Sequence, residues 1–161
     1  MKTFGKLSRQ FIALTSAVLI SSFLLISCSK DDNHTSTSGM YTVSGSANGT
    51  QVVPSVTGTA TVNISGTYNA NTNLLTYNMT WVGLTGSATT SAFYTGTTGA
   101  NGSLVSNTTI TTTGSTGASA GTMTLTDAQE TALLNGTWYY VIGTTANASG
   151  EIRGQITTTA Q

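Results

Sequence analysis

The chain has 161 residues and a formal charge of zero, with 38% hydrophobic and only 6% charged residues, which suits one domain whose core is large enough to fold alone. The zero is uneven along the chain: Lys2, Lys6 and Arg9 lie at the start, and from position 28 onward only Lys30 and Arg153 face Asp31, Asp32, Asp127, Glu130 and Glu151. No basic patch remains to neutralise phosphates, so nucleic acid is excluded as a partner, and the single cysteine excludes a disulfide within the chain.

The first element is an export segment. Lys2, Lys6 and Arg9 precede an apolar run from Phe11 to Ile26 that is interrupted only by small hydroxyl residues, and Ser27 and Cys28 follow. A charged region, an apolar region and a small-residue exit predict a secretory signal over 1–27. The run is shorter than the roughly 20 residues that span a bilayer comfortably, and it carries Thr15, Ser16, Ser21 and Ser22, so cleavage is expected rather than a retained anchor. The residues Leu25-Ile26-Ser27-Cys28 resemble the lipobox of bacterial lipoproteins. The resemblance implies cleavage before Cys28, lipid on Cys28, and attachment to the bacterial outer membrane with the domain in the envelope or at the cell surface.

Residues 28–40 (CSKDDNHTSTSGM) are polar and offer nothing to bury, which predicts a flexible tether. Its start, Ser29-Lys30-Asp31-Asp32, resembles the acidic export tag of bacterial surface lipoproteins, and an ordinary solvated linker fits equally.

From Tyr41 the dominant period is two. Ala60, Val62, Ile64, Gly66 and Tyr68 alternate with Thr, Asn and Ser; Leu75, Tyr77, Met79 and Trp81 alternate with Thr76, Asn78 and Thr80. Met123 and Leu125 alternate with Thr122 and Thr124, and Ile152, Gly154 and Ile156 with Glu151, Arg153 and Gln155. Each pattern predicts a strand with one face in the core and one in water. Turn signals punctuate the runs at Asn69 to Asn71, Gly83 to Gly86, Gly99 to Gly102 and Gly114 to Gly121. Tyr68, Tyr77, Trp81, Trp138 and Tyr140 fall on apolar faces and are expected in the core, whereas Phe93, Tyr94 and Tyr139 could form an exposed row suited to glycan stacking.

One segment breaks the alternation. Thr126 to Gly136 has a hydroxyl N-cap, Gln129 three residues later, acidic residues in the first turn and Asn-Gly at the end. This predicts a short crossover helix at about 126–135 with a capping box, held to the core by Leu133 and Leu134. Between 103 and 119 the chain is nearly all Thr, Asn, Ser and Gly; Val105 and Ile110 could face the core, and an edge strand or a long loop fits. The fold class expected is all-β: an antiparallel, Greek-key-like β-sandwich over 41–158 with one short crossover helix.

The C-terminal order carries a resemblance. A short helix, the step Leu134-x-Gly136, the aromatic pair Tyr139-Tyr140 and Gly150-Glu151-Ile152-Arg153-Gly154-Gln155 follow one another. Together with Gly49-Thr50-Gln51-Val52-Val53-Pro54 and the strand from Gly58, they resemble the CHRD domain, the module named after chordin, over about 41–157. The family often carries a His-x-His pair before a Gly and a third His near the last turn, a pair similar to the metal-ligand strand of copper/zinc superoxide dismutases. Here those positions hold Ala92, Tyr94 and Gly143, and the only histidine, His34, lies in the tether.

No cluster of His, Cys or carboxylates in the domain supplies ligands for zinc or copper, and no His or Lys there can act as general base for its many Ser and Thr residues. Neither a cofactor nor a catalytic residue is expected. Glu151, Arg153 and Gln155 share a strand face, as a polar recognition patch or, preferred, as an ion pair plus amide that fixes the last strand. The expected function is a lipid-anchored, non-enzymatic envelope or cell-surface module with a protein or glycan partner, attached to the membrane through Cys28. A dismutase-like redox protein is disfavoured because the family's histidines are missing; a glycan-binding module is the other alternative.

Overall fold

The computed structural model describes residues 39–161; the export segment, Cys28 and the tether as far as position 38 lie outside them. Ten strands form: β1 (Met40–Asn48), β2 (Thr61–Asn69), β3 (Leu74–Val82), β4 (Ala88–Thr95), β5 (Leu104–Asn107), β6 (Ile110–Thr112), β7 (Gly117–Thr124), β8 (Trp138–Thr144), β9 (Ile152–Gln155) and β10 (Thr157–Ala160). A 3₁₀ turn covers Gly49–Gln51, and the helix α1 covers Asp127–Leu134 between β7 and β8.

The strands make one antiparallel sheet in the order β5-β4-β8-β9-β1-β2-β3-β7-β6, with β10 also paired to β1. The sheet curls so that its two halves face each other. At one seam, β9 meets β1 at Asn48 and Arg153. At the other, the short link between β5 and β6 crosses from one half to the other. There Thr108 bonds Ser91 of β4, and Ser119 of β7 bonds Thr108 and the Thr109 carbonyl. The chain leaves β3 for the opposite half, returns at β6 and crosses again through α1, a Greek-key-like path in an all-β fold.

Alternation explains the core. Val62, Ile64 and Tyr68 of β2 and Leu75, Tyr77, Met79 and Trp81 of β3 are all buried, while Thr76, Asn78 and Thr80 are exposed. Thr suits that outer face because its branched Cβ fits the pleat. From the facing half come Phe93, Trp138, Tyr140 and Ile142. Phe93 packs edge-on to Tyr77 at 5.0 Å between ring centroids, a favoured aromatic geometry.

Of the two readings of residues 103–119 the edge strand holds: β5 and β6 are the two edge strands, and Val105 and Ile110 pack against the core. One expectation changes: the stretch from Gly114 to Gly121 is not all turn, since β7 begins at Gly117. Trp81 lies opposite Gly117 and Tyr77 opposite Gly121. A Cβ on Gly117 would come within 2.7 Å of the Trp81 ring, and one on Gly121 within 2.9 Å of the Tyr77 oxygen. These glycines are strand residues whose missing side chains leave room for large rings on the neighbouring strand.

The helix forms as its cap predicts. Gln129 N–H donates to Thr126 Oγ1 and the Thr126 N–H donates to Gln129 Oε1, a complete capping box. Leu133 is fully buried, and Leu134 packs half-buried against the core. Thr126→Ala should lower stability by about 1 kcal/mol, the usual worth of an N-cap. Urea unfolding checks this: the midpoint should fall with the slope unchanged, because the exposed area on unfolding is the same. Among the described residues no helix is long and apolar enough to cross a membrane.

Candidate functional site

Strand β9 and the turn before it gather the domain's most buried charges. Ile152 and Ile156 point inward with no exposure, as the alternation predicts. The opposite face is not wet as expected: Glu151 is 3% and Arg153 2% exposed. Gly154 permits the strand's position, because a Cβ there would lie 2.6 Å from Ala47 Cβ on β1.

Glu151 and Arg153 do not form the expected ion pair. Glu151 Oε1 accepts from the Thr85 N–H at 2.7 Å, and Oε2 accepts from Thr85 Oγ1, Thr144 Oγ1 and Asn147 Nδ2 at 2.7, 2.6 and 3.3 Å. All of these donors are neutral. Burial alone would push the Glu151 carboxyl up, but the hydrogen bonds from Thr144, Thr85 and Asn147 outweigh it and hold the group below the usual carboxylate range. The carboxylate thereby ties residues 83–87, between β3 and β4, to the turn that joins β8 to β9.

Arg153 serves a different segment. Nη2 donates to the carbonyls of Thr97 and Ala100 at 3.0 and 2.8 Å, and Nη1 donates to Asn101 Oδ1 at 3.3 Å. The guanidinium carbon lies 3.6 Å from the centroid of the Tyr139 ring, a cation–π distance. Burial pushes its pKa down and Tyr139 pushes it up, and an arginine stays charged at physiological pH regardless. Gln155 completes the row: its Nε2 donates to the carbonyls of Gly96 and Gly136, both at 2.8 Å. Three polar side chains two residues apart thus fasten different pieces of chain. They share a strand face because of the period of two; Glu151 holds Thr85 and Thr144, Arg153 holds residues 97–101, and Gln155 bridges Gly96 to Gly136.

The Arg153 end opens into a cavity of about 150 Å³ between residues 49–57 and residues 96–103. Tyr94 stacks on Tyr139 at 5.3 Å and 12° at its wall. Val52, Val53 and Val141 supply apolar surface, and Ser149 lies at the edge. Asn101 closes one side by donating from Nδ2 to the Val53 carbonyl at 2.9 Å. Tyr139 Oη accepts the Gly102 N–H at 3.0 Å. Phe93, Tyr94 and Tyr139 do not form an exposed row: Phe93 is in the core, Tyr139 is buried beneath Arg153, and only Tyr94 is partly open. Thr85, Thr97, Asn101, Thr144 and Asn147 had no signal in the sequence beyond their place in Gly- or Asn-marked turns.

The positions that correspond to the family's histidines lie on the two neighbouring strands. Ala92 and Tyr94 are on β4 and Gly143 is on β8, opposite Thr90. They present a methyl group, a phenol and no side chain, which does not fit a zinc or copper ion. Among the described residues no group of three or more His, Cys, Asp or Glu could hold a metal ion. Cys28 lies outside the described residues.

The family model described as CHRD domain matches residues 41–156 of the chain. No curated protein and no solved structure matches it.

Proposed function

The chain belongs to the CHRD domain family, a surface β-module, and on that premise we propose that it is a lipid-anchored recognition module of the bacterial outer membrane that works by contact and not by chemistry. The observation that carries this reading is the employment of the buried polar groups: Glu151 and Gln155 are spent on fixing loops, and three of the five N–H donors of Arg153 do the same. Between positions 41 and 161 the chain has no His, Cys or Lys to act as base or nucleophile beside them. The resemblance of Leu25-Ile26-Ser27-Cys28 to a lipobox supports lipid on Cys28, and residues 29–38 would set the reach of the domain.

The test is Cys28→Ala in a bacterial host. The unaltered chain should take up labelled palmitate and sediment with outer membranes; the variant should lose the label and become soluble. An unlabelled native chain, or a variant that stays with the membrane, overturns the anchor. Protease added to intact cells should release the domain at the tether if it faces outward.

A further inference from the structure

We propose that the cavity beside Arg153 binds the carboxylate of a ring-sized monoanion, either an acidic sugar or an aromatic acid. A guanidinium has five N–H donors. Three of those on Arg153 are taken by Thr97, Ala100 and Asn101, which leaves Nε–H and one Nη1–H without a protein acceptor. None of its partners is a carboxylate, so a charge that is 2% exposed has no counter-ion among the described residues. Buried charges are otherwise paired. Among the described residues the only side-chain nitrogen or oxygen sealed from solvent without a partner is Trp138 Nε1. Arg153 Nε is therefore not sealed from solvent, and the side chain lines the cavity.

The lining selects the ligand. Arg153, the phenols of Tyr94 and Tyr139, and the Ser149 hydroxyl can donate hydrogen bonds, and no carboxylate lines the space. One positive charge matches a single negative charge. A phosphate dianion would keep an unneutralised charge against Val52, Val53 and Val141, which is costly in an apolar setting. At about 150 Å³ the volume equals that of a cavity that takes up a benzene ring. A six-membered ring bearing one carboxylate fits on size, charge and surface.

The inference rests on the domain being a recognition module, and it fails separately from the anchor, since palmitate labelling at Cys28 does not depend on this cavity. The test is the thermal melting of the purified full-length chain in detergent with sodium glucuronate, sodium benzoate, glucose or sodium phosphate. At about 20 mM, a ligand of millimolar affinity should raise Tm by about 4 °C and the rise should saturate. Glucuronate or benzoate should give that rise, while glucose and phosphate should not. A response to glucuronate alone assigns the acidic sugar, to benzoate alone the aromatic acid, and to both the shared carboxylate. Ser149→Glu sets a fixed carboxylate at the exposed rim and should abolish the rise. No rise with either acid, an equal rise with phosphate, or a rise that survives in Ser149→Glu overturns the proposal.

Discussion

Arg153→Ala should lower the melting temperature by roughly 10 °C, the largest loss expected from any single change on the outer face. The substitution removes three hydrogen bonds to the segment 96–103 and the contact with the Tyr139 ring. The Ala100 carbonyl loses its side-chain donor, while the Thr97 carbonyl keeps the N–H of Ala100. A hydrogen bond to a charged group counts for about 1.5–3 kcal/mol. Water entering through the adjacent cavity recovers part of that, so a net loss of about 3 kcal/mol is expected. Arg153→Lys should fall between the two, because an ammonium keeps the charge but cannot reproduce the planar fork. Differential scanning calorimetry on the three proteins checks the order; an unchanged Tm in Arg153→Ala would contradict the role given to this side chain.

Glu151→Gln should cost roughly 2 kcal/mol at neutral pH and flatten the acid limb of the stability curve. An amide places a donor where one carboxylate oxygen now accepts: its NH₂ would meet either the Thr85 N–H or the hydroxyls of Thr85 and Thr144. The pH dependence follows from the lowered pKa of the folded state. Above the unfolded value of about 4.5 the contribution is fully present, and it is lost as pH falls through the lower folded value. Melting curves between pH 7 and pH 3 should show the native protein losing stability in that acid window and the variant losing less. Equal slopes for the two proteins would mean that the carboxylate is not held by Thr85, Thr144 and Asn147.

Most of the scaffold could be read from local patterns. β2 and β3 announce themselves because Val62, Ile64 and Tyr68, then Leu75, Tyr77, Met79 and Trp81, alternate with polar residues without a break. The helix was legible through Thr126 and Gln129 because a capping box is a contact between residues close in sequence. The failures all have non-local causes. Gly117 and Gly121 suggest a turn until Trp81 and Tyr77 are seen beside them on the neighbouring strand. Edge strands β5 and β6 each need only one partner, so Val105 and Ile110 are nearly their only apolar marks. Glu151 and Arg153 suggest an ion pair because they are two residues apart. Their real partners, Thr85 and Asn101, lie 66 and 52 residues away in sequence. The GEIRGQ run was visible as a motif, and its work as three separate fasteners was not.

Hydrogen exchange in Arg153→Lys, compared with the native protein, tests most directly the claim that β9 holds residues 96–102 in place. The amides of Gly96 and Gly102 donate to the Thr137 carbonyl and to Tyr139 Oη, and protected amides exchange through local opening when their segment loosens. The expected result is faster exchange at residues 96–102 with Tyr77 and Met79 of β3 still protected. Exchange unchanged at 96–102, or raised equally throughout β3, would contradict the account.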